Sequence, residues 1–211
     1  MAVKIYTGSP DFLNNEGILL TDMACFRILN GSFFIQVENS IDVMNIARFL
    51  KPELIKLELE TTDPVIDEDS PVNPNKIYWE NKEKIIDELS RLLDNSGGVR
   101  NRKRLARDLI LREKKISTGI GHGIAIPHCR TIQVSEFIIG FARSTPGVNF
   151  ESIDKEPVHL FFPMAANPND DAMYLKVFKS LAEVLRFDTF RNLLMEAEDE
   201  YEAIRAFREI E

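Results

Sequence analysis

Ser117-Thr118-Gly119-Ile120-Gly121-His122-Gly123-Ile124-Ala125-Ile126-Pro127-His128 is the stretch on which the reading of this chain turns. Three glycines alternate with other residues just before an apolar run that ends in Pro-His. Glycine lets a backbone approach a ligand closely and take dihedral angles that other residues resist. Spaced amides in such a loop can point at an anion. Pro127 removes one backbone donor and fixes its own φ, which stiffens the approach to His128. Neutral imidazole is a nucleophile near neutral pH, its unperturbed pKa being about 6.5. Loop donors beside it could stabilise charge on a phosphoryl group in transfer. The same residues also fit a glycine-rich turn followed by a packed histidine. No Gly-Lys-Ser/Thr follows, so this is no Walker loop, and His122 and Ile124–Ile126 break a dinucleotide-binding GxGxxG.

Upstream lie two helical patterns. From Asn81, Ile85, Ile86, Leu89, Leu92 and Leu93 share one helical face, and Asn95-Ser96-Gly97-Gly98 ends it. A second helix, near Asn101 to Arg112, buries Leu105, Leu109 and Ile110. It carries the basic cluster Arg100, Arg102, Lys103, Arg104, Arg107, Arg112, Lys114 and Lys115, which reads as a solvated face or a dock for an acidic partner. Before it, Thr61 to Lys76 is acidic and holds Pro64, Pro71 and Pro74, as in an exposed loop. Leu54 to Leu59 alternates like a half-buried strand. Ser40 could cap a helix running to Leu50. Gly17–Cys25 and Ser32–Val37 could be short strands.

Downstream, Glu136–Ala142 reads as a strand and Pro146–Phe150 as a turn with a short strand. Val158–Met164 is a nearly continuous apolar strand, expected at the centre. Asp170 or Asp171 can cap a helix through Leu185, with Leu175, Phe178, Leu181 and Leu185 inward. Helices over Thr189–Met195 and Glu200–Ile210 follow. Strands separated by helices predict an α/β fold, a mixed β-sheet flanked by helices on both faces, with a small N-terminal extension.

A chain of 211 residues suits one domain with an attachment and can bury a core without staples. A formal net charge of -8 argues against a general nucleic-acid binder. The two cysteines, Cys25 and Cys129, are too few for a disulfide framework and point to a reducing compartment. No apolar stretch reaches membrane-spanning length, and the start lacks a secretion signal, so a cytoplasmic protein is expected.

Leu111-Arg112-Glu113, Ser117–Gly121 and Gly123–His128 together resemble the type-2 IIA domain of the bacterial phosphoenolpyruvate-dependent sugar phosphotransferase system. Fructose- and mannitol-type IIA domains and nitrogen-regulatory IIA proteins share this motif. Phe49–Ile55 resembles the family's domain start, and Gly147–Phe150 with Pro157-Val158 its middle strands. Leu175–Leu185 and Phe190–Leu194 are similar to its closing helices. The resemblance runs from about residue 43 to the end. It implies an N-terminal extension over 1–42 and a phosphocarrier domain over 43–211, with a loop insertion at 62–78.

The resemblance also implies roles. His128 matches the phosphorylated histidine, which takes its group from an HPr-like donor and passes it to a IIB partner. Arg112 matches the active-site arginine, whose planar fork can clamp phosphate oxygens; on its own it could equally be a helix-end cation. Gly119, Gly121 and Gly123 would form the phosphate-approach loop. Tyr174 stands where the family usually has a second histidine; its hydroxyl can donate to phosphate but cannot hold a proton as imidazole does. His122 either supplies the missing imidazole or is an exposed loop histidine.

No cofactor is implied, and His122 with His128 lacks a third metal ligand. Cys129 reads as packing rather than a Cys-His dyad, and His159 as a satisfied core histidine. Two functions follow: a carrier component feeding a sugar permease, or a regulatory module, possible even with impaired transfer, acting through a target protein. Neither nucleic acid nor membrane insertion is expected, and a homodimer is left open.

Overall fold

The computed structural model describes residues 20–21, 24–29, 32–36, 45–65, 73–169 and 171–210. The chain divides into two compact units, Met1–Val43 and Met44–Glu211. In the first, β1 (Leu20–Thr21), β2 (Ala24–Leu29) and β3 (Ser32–Gln36) form an antiparallel meander. Cys25 thus belongs to a strand that continues to Leu29, paired from Cys25↔Gln36 to Leu29↔Ser32, rather than ending a strand from Gly17.

In the second unit no helix runs up to Leu50. Residues 45–50 make a turn in which the Arg48 amide donates to the Asn45 side chain (3.0 Å) and the Phe49 amide to the Ile46 carbonyl (2.9 Å). An asparagine side chain that captures a nearby backbone amide competes with helix in this way. Ser40 lies outside the described residues. A single 3₁₀ turn at Pro52–Leu54 leads into β4 (Ile55–Lys56), which is shorter than the strand expected to Leu59. Beyond Lys56 the contacts to the neighbouring strand are irregular: the Leu59 amide donates to the Arg143 carbonyl (2.7 Å) and the Thr145 amide to the Glu58 carboxylate (3.0 Å).

Helix α1 (Pro74–Asp94) starts earlier than its apolar period suggests. Asn73 caps it by accepting from the Asn75 amide, with Pro74 at the first helical position. Residues 74–78 of the expected insertion are therefore helix. Ile85, Ile86, Leu89, Leu92 and Leu93 are all buried. Helix α2 (Arg102–Glu113) is capped by Asn101 and buries Leu105 and Leu109 against α1.

The glycine-rich stretch is a β-hairpin. β5 (Gly119–Gly121) and β6 (Ile124–Ala125) flank the two-residue turn His122-Gly123, both with positive φ (56° and 72°). That is the turn whose twist matches paired strands. Strand β7 (His128–Arg130) follows Pro127. Then come β8 (Ile138–Ile139), β9 (Phe141–Val148), β10 (Val158–Phe161) and β11 (Met164–Ala166). Pro146-Gly147 lies inside β9 as a bulge, where the pairing jumps from Leu160↔Arg143 to Val158↔Val148.

The strands make a five-stranded mixed sheet, β4-β9-β10-β6-β5, and a three-stranded one, β7-β11-β8. β10 is central, as expected, but its apolar run passes into β11 at Pro163, since proline cannot donate to the ladder. The two sheets meet along Pro127, Gly140 and Pro163. Hydrogen bonds from Met164 to Pro127 (2.8 Å) and from Gly140 to Pro163 (2.9 Å) stitch them.

Helices α3 (Asp171–Val184), α4 (Asp188–Glu196) and α5 (Glu200–Ile210) complete the unit. Neighbouring strand residues face opposite ways. Ala142 and Phe161 join the cluster under α1 and α2, while Phe141 stacks on Phe162 at 5.4 Å and Phe162 meets Phe207 of α5. Helices therefore cover both faces. On α3, Val177 and Leu181 face inward and Leu175 is 57% exposed, because Tyr174 takes the inner position.

Candidate functional site

His128 opens β7, bonded in parallel to Met164 of β11. The Ile126 carbonyl lies 2.6 Å from its Nδ1. A carbonyl only accepts, so Nδ1 carries the hydrogen and, in the neutral ring, Nε2 keeps the lone pair. Phe178 packs edge-on against the ring at 5.5 Å, and the Tyr174 ring lies tilted to it at 6.0 Å. Burial holds the His128 pKa below its ordinary value, and the Arg112 and Arg130 charges act the same way, against the Ile126 bond and Glu113. The neutral ring is the favoured form.

Arg112, Tyr174 and His128 line one cavity of about 530 Å³. Arg112 donates through Nη1 to the Ile116 carbonyl at 3.0 Å. The next residue, Glu113, is anchored from below. Its carboxylate pairs with buried Lys82 at 2.7 Å and accepts from the Thr118 amide (3.0 Å) and hydroxyl (2.6 Å). Lys82 also reaches Ser117 and Glu151 and sits 4.6 Å over the Phe150 ring. This network locks the end of α2 to the start of the hairpin, and so fixes where Arg112 stands relative to His128.

The glycines are placed elsewhere. None of Gly119, Gly121 and Gly123 lines the cavity. The Gly121 amide donates to Ser152 and the His122 amide to Asp154. A Cβ on Gly119 would stand 2.8 Å from the Ser152 backbone. Gly119 and Gly121 let the hairpin lie flush against the loop at 152–154, while Gly123 lies against His159 and Pro157. His122, at the exposed hairpin tip, is not brought to the cavity either.

Cys129 points into the core, and burial pushes its thiol up to about 12. His159 bonds through Nδ1 to the Ser144 carbonyl and fills the space that Gly147 leaves. Of the basic cluster, Arg112 and Lys115 line the cavity, whereas Arg102 pairs with Asp87 and Lys114 with Glu83. Arg130, which the sequence reading passed over, also lines it. Its signal was the two-residue spacing from His128, which places both on one side of a strand. Lys82 had a signal too: it continues the buried face of Ile85, Ile86 and Leu89.

Residues 70–210 match the family model of the phosphoenolpyruvate-dependent sugar phosphotransferase system, EIIA 2. The chain belongs to this family. It is 34% identical over 117 residues to the fructose-specific EIIA component of Haloferax volcanii, covering 56% of this chain and 76% of that protein. It is 35% identical over 157 residues to the fructose-specific EIIABC component of Bacillus subtilis, covering 74% of this chain but only 22% of that protein. The crystal structure of the nitrogen regulatory protein IIA-Ntr from Neisseria meningitidis superposes with a TM-score of 0.64 at 26% identity, over 77% of this chain and 98% of that one. This EIIA-family chain is thus a phosphotransferase-system component, of a kind that serves phosphotransfer or regulation. Among the described residues, no helix is long and apolar enough to cross a membrane.

Proposed function

We propose that His128 accepts a phosphoryl group at Nε2 from an HPr-like donor and passes it to a IIB partner, in the cytoplasm. The observation that carries this reading is the Nδ1 bond to the Ile126 carbonyl beside Arg112. It presets the tautomer, so the attacking lone pair is on Nε2 before the donor arrives. In the transfer, the Nε2–P bond forms as the donor's N–P bond breaks, and the donor nitrogen keeps that electron pair. Nδ1 retains its hydrogen throughout. Arg112 binds equatorial phosphoryl oxygens through guanidinium N–H groups not engaged with Ile116. Leu111 (49% exposed) and Ile132 (64%) at the cavity rim give a donor or acceptor protein apolar surface to cover around these cations.

The test is incubation with phosphoenolpyruvate, the general transfer enzyme and HPr, followed by mass spectrometry that preserves phosphohistidine. The wild type is expected to gain one phosphoryl group and His128→Ala none; equal labelling of both sinks the assignment. Arg112→Gln is expected to slow labelling about 10- to 100-fold, the usual worth of a charge-assisted hydrogen bond. The likeness to a nitrogen regulatory protein favours a second use of the same chemistry, in which the phosphorylated state selects a target protein. Transfer of label onward to a IIB protein separates the carrier from the switch.

A further inference from the structure

Arg130 lies two residues beyond His128 on β7, where the burial alternates: His128 half-buried, Cys129 buried, Arg130 exposed. The pleat therefore puts His128 and Arg130 on the same side of the strand. The Arg130 guanidinium carbon stands 5.1 Å from the centroid of the Tyr174 ring. Tyr174 is only 7% exposed and is itself packed near the rings of His128 (6.0 Å) and Phe178 (6.2 Å). A long cation thus lies against a buried aromatic face, and the planar guanidinium suits such stacking better than an ammonium does. Arg112 comes to the same cavity from another element, the end of α2.

We propose that Arg130 is a second cation contacting the phosphoryl group on His128, and that Tyr174 is its positioning residue, acting through the face of its ring. This rests on the reading of His128 as the acceptor. Two guanidinium forks from different elements can bracket the three oxygens of one phosphoryl group, each by paired N–H donors. Their charges already act together on the imidazole, whose protonation both disfavour. The Tyr174 hydroxyl has no part in this, so the aromatic ring alone suffices.

The test measures the labelling rate of His128 with two donors: phosphoramidate, a small molecule with a P–N bond, and phosphorylated HPr. Arg130→Gln is expected to slow labelling about 10- to 100-fold with both donors. Tyr174→Phe is expected to lose less rate than Tyr174→Leu, which is expected to be about 3- to 30-fold slower than wild type. The double variant Arg130→Gln/Tyr174→Leu is expected to be no slower than Arg130→Gln, whereas an independent structural role for Tyr174 makes the losses add. Slowing of Arg130→Gln with the protein donor alone makes Arg130 a docking residue and overturns the proposal. So does Tyr174→Phe slowing as much as Tyr174→Leu, which assigns the effect to the hydroxyl. Wild-type rates in Arg130→Gln and Tyr174→Leu, with His128→Ala unlabelled, overturn this inference and leave the acceptor standing. Equal labelling of wild type and His128→Ala removes both.

Discussion

His128 owes its readiness to backbone rather than to side-chain partners. The Ile126 carbonyl fixes its hydrogen on Nδ1, while burial and the cations Arg112 and Arg130 keep the ring neutral. The sign of the pH dependence follows. The nucleophile is the neutral ring, and its pKa in the folded protein lies below the ordinary 6.5 or so. The labelling rate should therefore hold as pH falls past about 6.5 and decline only at lower pH. Arg112→Gln should move that acid limb upward, because one charge opposing protonation is gone. The rate measured with phosphoramidate between pH 5 and 8 checks both; an acid limb at or above 6.5 in the wild type contradicts this account of His128.

At the scale of elements, two features position the site: a bulged strand and a buried ion pair. One is the bulge of β9. Gly147 has φ +74°, and a Cβ there would fall 2.6 Å from the His159 ring. Gly147→Ala is expected to destabilise the fold by about 2–4 kcal/mol, from left-handed backbone strain plus overpacking. Urea unfolding measures this, and a change under about 0.5 kcal/mol contradicts it. The other is the Lys82–Glu113 pair, both side chains 1% exposed. Lys82→Met leaves the Glu113 charge buried without its cation, at a cost of about 3–5 kcal/mol. It should also slow His128 labelling by loosening the α2 end that carries Arg112.

These irregular parts are what the sequence hid. The helices were legible because Ile85 to Leu93, Leu105 and Leu109 repeat at helical spacing, and α4 and α5 lie close to their expected limits. His128 and Arg112 stood out through a long motif, and the structure places them in one cavity. The hairpin was not legible because a bare glycine looks alike in a phosphate loop and in a hairpin pressed against a neighbour. Only the packing of Gly119 on Ser152 tells them apart. Leu54–Leu59 alternates like a strand, yet the ladder stops after Lys56 and the Glu58 carboxylate takes the Thr145 amide, a side-chain contact with a distant strand that leaves no local trace. Arg130 was missed because its neighbour on the ring face, Tyr174, is far away in sequence.

At the scale of the molecule, the prolines and Gly140 that divide the sheet place β7 just past the break, and that is where His128 begins. Helices on both faces support this seam. The net charge is -8, yet Arg112, Lys115 and Arg130 converge on one cavity. Local placement, not composition, gathers these cations. Every residue invoked there belongs to the unit Met44–Glu211, which has its own core. A chain beginning at Met44 should therefore fold cooperatively and label His128 at the wild-type rate; loss of either in thermal unfolding or labelling contradicts this division. The central claim is that the Ile126 carbonyl directs chemistry to one nitrogen of one histidine. It is tested most directly by phosphorus–nitrogen correlation NMR of the phosphorylated, ¹⁵N-labelled protein. The account predicts phosphorus bonded to Nε2 of His128; phosphorus on Nδ1, or on any other residue, contradicts it.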